Sequence, residues 1–412
     1  MPPTRGGQQA PPPSPRLSWL ASARHALRSP LAPYYLLMGA SALLLTIGLI
    51  MVLSASSVYS YKVHDGDSYA VVKRQLMWVA IGLPAAWLAS RFPLRALRRL
   101  TYPAYLFSLV LLGATLAFGI VVNGNKNWLA VGPLVIQPSE IAKLALVLWA
   151  AHVFASKERL LGRLRHVIVP VVPGLLVATG LVILGRDLGT ALVFLAILVG
   201  LLFVVGAPGR FFTICLLVLG AGVLYLVATD AERLGRLLNF SDPFKDFHDA
   251  GWQPAHGLYA LSSGGWIGEG IGFSRQKWGD LPEAHTDFIF AVLGEELGLV
   301  GTLLVVGLFL TIAYAAVRVA RETADPFVRY ASFGIVVWLL GQMMINVGMV
   351  LALLPVIGIP LPLVSYGGSA LVPSLVALGL LVGFARREPA AARLLSQRKR
   401  GRPAGLSALR RR

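Results

Sequence analysis

The sequence predicts an all-α, polytopic membrane protein with about ten transmembrane helices and one large extracytoplasmic loop between spans 7 and 8. Of its 412 residues, 56% are hydrophobic and only 14% are charged, whereas soluble domains carry nearer a quarter charged residues. Many apolar runs reach the roughly 20 residues that cross a bilayer as a helix. Backbone groups in lipid must bond internally, so runs of this length are expected to be helical.

Lys and Arg cluster in alternate connections between these runs: between spans 2 and 3, 4 and 5, 6 and 7, and 8 and 9. The positive-inside rule places those connections and both termini in the cytoplasm. The predicted spans are 33–55, 75–92, 101–122, 138–155, 166–184, 188–206, 210–228, 287–315, 328–353 and 364–385.

The net charge of +18 lies largely in cytoplasmic loops and in two basic tails, so it does not indicate nucleic-acid binding. The tails, 1–30 and 387–412, are predicted to be disordered and to flank a transmembrane domain at 31–386. Their arginines set topology or contact anionic lipid headgroups. The single cysteine, Cys215, excludes an intrachain disulfide and a cysteine-cluster metal site.

The large outer loop, about 229–286, is rich in Trp, Gly and apolar residues. This composition favours short interfacial helices over a disordered linker. Arg275 and Lys277 come just before an acidic motif and suit an anionic headgroup, although ordinary interfacial anchoring explains them equally well. The tryptophans expected at headgroup level are Trp252, Trp266 and Trp278.

The acidic motif is Leu281-Pro-Glu-Ala-His-Thr-Asp287-Phe, at the start of span 8. A carboxylate at membrane depth costs several kcal/mol unless it faces a polar cavity or a partner. Asp287 therefore either caps the helix or serves as a catalytic base at an accessible edge. Further along, Glu295 is expected to line the same cavity and Glu296 to pair with another helix. Gly298 belongs to a pattern of small residues typical of close helix packing.

Other polar residues lie at membrane depth. Glu140 and Lys143 share one helix face, either as a structural ion pair or with Lys143 meeting a phosphate. Lys126 and Trp128 lie in a glycine-bearing outer loop suited to a sugar phosphate, and Arg186 lies in a short outer turn.

Span 9 carries Gln342 and Asn346 one turn apart, which predicts hydrogen bonds between helices. The segment Ser365-Tyr-Gly-Gly-Ser369 follows three prolines and predicts a rigid outer turn, either a structural corner or a wall of the cavity.

Together these motifs resemble the SEDS family (shape, elongation, division and sporulation) of polytopic membrane proteins. The chain resembles the cell-division branch of this family more than the elongation branch, because of the segments Ser54-Ala-Ser56 and Val72-Lys-Arg-Gln75. The stretches that carry the family resemblance are Lys126 with Trp128, Gln137-Pro-Ser-Glu140 with Lys143, Asp187-Leu-Gly-Thr190, Leu281 to Phe288, Gly294-Glu-Glu-Leu-Gly298, Ile359-Pro-Leu-Pro and Ser365-Tyr-Gly-Gly-Ser369.

The resemblance implies a peptidoglycan glycosyltransferase that polymerises lipid II at the division septum of a bacterial cell membrane. It implies a class B penicillin-binding protein as transpeptidase partner, alongside other division proteins, and Asp287 as the essential residue. Two positions depart from the family pattern: Asn127 stands where arginine is frequent, and Arg186 where proline is frequent. We expect these two changes to compensate each other in one pocket.

Sugar transfer from a lipid pyrophosphate needs a base for the acceptor hydroxyl and cations or a metal for the leaving group. Asp287 is predicted to be that base or a metal-linked carboxylate, with Mg²⁺ or Mn²⁺ as the expected cation. The candidates for binding substrate or orienting Asp287 are Lys143, Glu140, Lys126, Trp128, Arg186, Arg275, Lys277, His285 and Glu283.

Three alternatives remain open at this point. An elongation polymerase of the same family would use the same chemistry. A lipid II flippase would also need buried charges, although no paired broken helices in matching halves are recognisable. A non-enzymatic division scaffold would leave the acidic motif unexplained.

Overall fold

The computed structural model describes residues 27–122, 124–132, 134–228, 235, 242–245, 247, 251–279 and 281–400. These residues form a bundle of long helices with a small antiparallel sheet at one end. The helices are α1 (Ala32–Val63), α2 (Ala70–Arg91), α3 (Leu94–Phe118), α4 (Pro138–Ser156), α5 (Leu164–Ile168), α6 (Val171–Leu184), α7 (Leu188–Val205), α8 (Gly209–Ala228), α9 (Trp252–Ser263), α10 (Ile289–Glu322), α11 (Pro326–Val350), α12 (Gly368–Arg387) and α13 (Pro389–Arg400). The strands are β1 (Ile120–Val122), β2 (Asn125–Val131) and β3 (Leu134–Ile136).

The predicted all-α membrane fold is confirmed. Each predicted span coincides with one of the long helices or, for span 5, with the consecutive pair α5 and α6. Within the described residues, 8 helical segments are long and apolar enough to cross a membrane. Helices α2 and α8 are not among those segments, and α2 carries Lys73, Arg74 and Gln75 in its first turns.

The core of the bundle is built around α4, α11 and α12. Helix α11 packs on α4, α7 and α10, while α12 packs along α2. Two glycines of α12 permit that last contact, because a Cβ added at Gly379 or Gly383 would collide with the backbone of Ala86 or Ser90. Such small residues let helix backbones approach closely in a membrane.

Residues 120–136 differ from the prediction. Span 3 was expected to continue to residue 122, but α3 ends at Phe118 and a three-stranded antiparallel sheet of order β1-β2-β3 follows. Gly119 ends the helix in an extended conformation, and the next three residues are β-branched, which favours a strand. The sheet docks on the turn between α6 and α7, where Lys126 N donates to Gly185 O at 2.9 Å.

The C-terminal tail also differs in its first part, because residues Pro389–Arg400 are helical, with proline at the first helical position and Ala391 buried. The remainder of both predicted tails lies outside the described residues. In the large loop, α9 and the following segment are well formed, and both Trp266 and Trp278 are exposed. We call the end of the bundle that carries the sheet and residues 251–288 the site end.

Candidate active site

Asp287 lies at the site end, two residues before α10 begins. It is half-buried, and its backbone carbonyl accepts a hydrogen bond from Asn346 Nδ2 at 2.7 Å. The helix-capping interpretation is not supported, because the N-cap residue of α10 is Phe288 and no side chain caps this terminus. Asp287 therefore does not have the helix-capping role that its position in the sequence suggested.

The carboxyl of Asp287 lies against the backbone of the segment after α11. A Cβ added at Gly358 would be 3.3 Å from Asp287 Oδ2. Burial, together with the smaller effects of the negative charges of Glu283 and Asp187, raises the pKa of Asp287 to about 7. Among the described residues, no group donates a hydrogen bond to its carboxyl oxygens, which leaves both oxygens available to accept a proton.

His285 is packed beside this aspartate rather than exposed to substrate. Its ring stacks on Tyr59 at 4.7 Å and lies 5.7 Å from the ring of Tyr366. Its carbonyl accepts from Tyr366 N at 2.9 Å. Burial lowers the pKa of His285, against the opposing charge of Glu283, and so favours the neutral imidazole. Glu283 itself is exposed and accepts from Thr286 Oγ1 at 2.6 Å.

Helix α10 is two helices joined at Gly298, whose φ of 67° and ψ of −165° are not helical. The first half, 289–297, is buried except for Leu297, which is half-buried. The loop after α9 supplies the hydrogen bonds that the break removes: Glu269 N and Gly270 N donate to Glu295 O and Glu296 O, while Leu299 N and Val300 N donate to Gly265 O and Trp266 O. Gly298 does mark a close approach, as predicted, but to this loop instead of a helix.

A buried ion pair fixes the same loop. Lys277 Nζ donates to Glu296 Oε1 at 3.0 Å, to Ser54 Oγ at 2.9 Å and to Gly272 O at 2.7 Å. All three donors of this ammonium group are thereby used within the protein. Lys277 therefore holds the loop to α10 and α1, and in this structure it is not available to a headgroup. Glu296 also accepts a hydrogen bond from Ser54 Oγ of α1 at 2.5 Å, so it contacts another helix, as predicted.

Glu295 also serves the loop. Its carboxylate accepts from Ser274 Oγ at 2.5 Å and from Arg275 N at 2.9 Å, so it does not line a cavity with Asp287. The Arg275 side chain, by contrast, is exposed at the site end.

Glu140 and Lys143 form an ion pair of 2.8 Å and are 2% and 1% exposed. That burial excludes direct contact with a headgroup in this structure. The structural interpretation of the pair is the one that its geometry favours.

The sheet places the remaining candidates. Lys126 Nζ donates to Leu116 O at 2.6 Å and to Ala117 O at 3.2 Å, so it satisfies carbonyls at the C-terminus of α3. Trp128 in β2 is half-buried. Arg186 is exposed, with a φ of 64°, in the turn before α7.

Asp187 ties this region together, a role that sequence reasoning did not assign. Its carboxylate accepts from Asn127 Nδ2 and Gln137 Nε2, each at 3.1 Å, and from Thr190 N and Oγ1, each at 2.9 Å. Gln137 N in turn donates to Ser369 Oγ at 3.1 Å. The sequence indicated these hydrogen bonds only indirectly, because the segments that make them all belong to the motifs of the family resemblance.

The cavities beside these residues are small. One of about 20 Å³ lies between the sheet, α3 and Asp187, and one of about 10 Å³ lies between Gln342 and the Pro360–Ser365 turn. Each has room for about one water molecule. Asp287 lines neither of these two cavities. Within the part of the chain that the structure describes, no three His, Cys, Asp or Glu side chains are arranged to hold a metal ion.

The fold and site define a multi-pass α-helical membrane protein with an acid of raised pKa at one end of the bundle. Residues 35–389 match the family described as Cell cycle protein, which comprises FtsW, RodA and SpoVE, and the chain belongs to that family. This is the SEDS family that the sequence motifs resembled.

Individual relatives agree with this assignment. The chain is 38% identical to the probable peptidoglycan glycosyltransferase FtsW of Mycobacterium tuberculosis, over 89% of this chain and 70% of the relative. It is also 38% identical to stage V sporulation protein E of Bacillus subtilis, over 86% of this chain and 97% of the relative.

Solved structures show the same fold. A chain from a study of "Structural coordination of polymerization and crosslinking by a peptidoglycan synthase complex" is 30% identical, with a TM-score of 0.70 over 86% of this chain and 97% of that one. RodA of Thermus thermophilus is 29% identical, with a TM-score of 0.64 over 86% of this chain and 97% of that one.

Proposed function

We propose that this protein polymerises lipid II into glycan strands during cell division, with Asp287 as the general base. The protein is a peptidoglycan glycosyltransferase, in keeping with its family and with the relatives named for that activity. The proposal adds the lipid II substrate and the role of Asp287 to that activity.

The observation that carries the assignment is the state of the Asp287 carboxyl. It is half-buried at the site end, caps no helix, and has a pKa of about 7. A general base is most effective when its pKa lies near the working pH. Buried carboxylates with a structural role are hydrogen-bonded, as Glu295 is.

In the proposed reaction, the hydroxyl of the acceptor sugar attacks the anomeric carbon of the donor. Its proton passes to the Asp287 carboxylate, a new C–O bond forms, and the bond to the lipid pyrophosphate breaks with its electron pair leaving on the pyrophosphate. The leaving group is stable as an anion, so a second carboxylic acid is unnecessary, unlike in glycoside hydrolysis. Its growing negative charge needs cationic partners, and the side chains of Arg186 and Arg275, both exposed, are candidates for that role.

The divalent cation stays a prediction. The described residues form no metal site of their own, so Mg²⁺ or Mn²⁺ would have to be held mainly by the pyrophosphate. Polymerisation in the presence of EDTA, with Mg²⁺ or Mn²⁺ added back, tests this requirement.

We further propose that the site end faces the outside of the bacterial cell membrane, with both termini cytoplasmic and the protein at the septum. A class B penicillin-binding protein is the proposed transpeptidase partner, together with other division proteins. The similarity to a chain of a peptidoglycan synthase complex supports this partnership.

The test is Asp287→Asn, purified with the partner and given lipid II. We expect glycan polymerisation to be abolished while the protein remains folded and monodisperse. Asp67→Asn, which removes another acid from a loop outside the helices, is the matched control and should polymerise normally. Normal polymerisation by Asp287→Asn would refute the assignment of Asp287.

A flippase remains the second candidate, because a discontinuous helix such as α10 is typical of transporters. In transporters, however, the unwound backbone lines the substrate site, whereas the break at Gly298 is closed by the loop. Lipid II translocation in vesicles without glycan formation would favour the flippase. The absence of both translocation and glycan formation would favour a scaffold.

A further inference from the structure

A chain of buried polar side chains leads from the ion pair of α4 to the backbone of Asp287. Lys143 Nζ, paired with Glu140, also donates to Gln342 Oε1 at 3.0 Å. Gln342 Nε2 donates onward to Pro360 O at 2.9 Å. The Gln342 oxygen accepts a second hydrogen bond from Trp338 Nε1 at 2.9 Å, which fixes the orientation of its amide.

Asn346 lies one turn further along α11, on the same face as Gln342. Its Nδ2 donates to Ile359 O and to Asp287 O, each at 2.7 Å. Both acceptors are carbonyl oxygens, so only the amide nitrogen can satisfy them. The Asn346 side chain is 0% exposed.

We propose that Gln342 and Asn346 are positioning residues that hold Asp287 in place relative to the Lys143–Glu140 ion pair, through the segment Ile359–Pro360. The proposal rests on the proposed function of Asp287. It gives the buried ion pair a role in catalysis that requires no contact with substrate.

The same two amides fix both the backbone of Asp287 and the surface beneath its carboxyl. Gly358, whose Cβ position would be 3.3 Å from Asp287 Oδ2, immediately precedes Ile359. A shift of the Ile359–Pro360 carbonyls would therefore move the backbone that lies against the Asp287 carboxyl. Misplacing a catalytic group by about 1 Å can cost on the order of 100-fold in rate.

The Asn346 amide is only partly paired. Asn346 Oδ1 is buried without a hydrogen-bond partner among the described residues, and buried polar groups are usually paired. An apolar side chain of the same size would avoid this unpaired oxygen but would leave the carbonyls of Asp287 and Ile359 without this donor. The retained amide serves the two carbonyls, one of which belongs to Asp287.

The test measures glycan polymerisation by Asn346→Leu and Gln342→Leu, which keep approximate volume but remove the donors. We expect turnover of folded protein to fall about 10- to 100-fold with KM changed little. The midpoint of the acid limb should move to lower pH, because water reaches the released carboxyl. The double variant should be no slower than the slower single variant, since both act on one segment.

The matched control is Ser332→Ala, on the same helix. Ser332 is buried, and its hydroxyl has no hydrogen-bond partner among the described residues. The proposal is overturned if Asn346→Leu matches Ser332→Ala in turnover. It is also overturned if turnover falls but the acid limb stays at the wild-type pH, because a lower folded fraction gives that result. If Asn346→Leu does not fold, Asn346→Ser is measured in the same way.

The two assignments fail separately. Polymerisation by Asp287→Asn would refute the assignment of Asp287 as the general base. An inactive Asp287→Asn variant together with a fully active Asn346→Leu variant would refute only the positioning role proposed for Asn346.

Discussion

At the residue scale, the chemistry depends on the protonation state of one carboxyl. Burial, Glu283 and Asp187 all disfavour the ionised form of Asp287, and its pKa rises to about 7. A base must be ionised to accept a proton, so at pH 6 only about a tenth of the protein would be competent. The same shift makes the free energy of unfolding depend on pH. Its stabilising contribution is fully present below about pH 4 and is lost as the pH rises through 7, so the ionised carboxylate disfavours the folded state.

We therefore predict that polymerisation increases with pH along an acid limb centred near pH 7. Glu283→Gln removes one of the negative charges that raise the pKa of Asp287, so it should move this limb to lower pH. Asp67→Asn removes an acid that does not affect Asp287 and should leave the limb in place. Initial rates of glycan formation between pH 5 and 9, measured on all three proteins, check the prediction; coincident profiles for wild type and Glu283→Gln would contradict it.

Single residues also show where sequence reasoning stopped. The position of Asp287 in an acidic motif beside a membrane span was enough to select it. Nothing in the sequence distinguished Lys277, which is consumed by three internal hydrogen bonds, from Arg275, which is exposed. The two lie two residues apart, and which one turns inward depends on Glu296 and Ser54, which belong to distant segments.

At the element scale, α10 and the loop after α9 form one unit. The loop pairs with the carbonyls on one side of the Gly298 break and with the amides on the other. Lys277, which donates to Glu296, and Ser274, which donates to Glu295, add side-chain contacts between the loop and the residues just before the break. The buried first half of α10, which begins just after Asp287, is thus held by the loop and not by lipid.

We predict that Gly298→Ala destabilises this unit and reduces polymerisation. Its φ of 67° with ψ of −165° is a conformation that costs other residues about 1–3 kcal/mol, and an added Cβ would collide with the backbone of Gly268. Gly307→Ala is the control in the same helix, because a Cβ there meets nothing within 4 Å. Thermal unfolding in detergent and polymerisation rates should separate the two variants, and equal melting temperatures would contradict the prediction.

Long apolar elements were predictable and short ones were not. Each span was recovered because a run of about 20 apolar residues has few alternatives in a bilayer. The sheet at 120–136 was missed, since three-residue strands carry little pattern and its first strand continues the apolar run of α3. The break at Gly298 was visible only as a glycine, because its hydrogen bonds come from about 30 residues earlier in the chain.

At the scale of the whole molecule, the polar motifs meet although they are spread along the sequence. Asp187 contacts the sheet and Gln137, Gln137 contacts Ser369, and Tyr366 contacts His285. Helices that cross the membrane bring such distant turns to one end. The family resemblance predicted a common site, while the identity of each contact required the packed structure.

The orientation of the molecule in the membrane gives the last prediction. Charge alternation places the loop around Gly162 in the cytoplasm, together with Lys157, Arg159, Arg163 and Arg165, and places the α1–α2 connection outside. Catalysis on an outward-facing lipid headgroup requires the same orientation, because α1 ends at the site end, where Tyr59 stacks on His285.

Cysteine labelling tests this orientation, since Cys215 is the single native cysteine. In a Cys215→Ser background, Tyr61→Cys introduces a thiol at a position that is 60% exposed, and Gly162→Cys introduces one where a Cβ meets nothing within 4 Å. A membrane-impermeant maleimide should label Tyr61→Cys in intact spheroplasts and Gly162→Cys only after lysis. Labelling of Gly162→Cys in intact spheroplasts, with Tyr61→Cys protected, would show that Asp287 faces the cytoplasm. It could then not act on a substrate displayed on the outer surface.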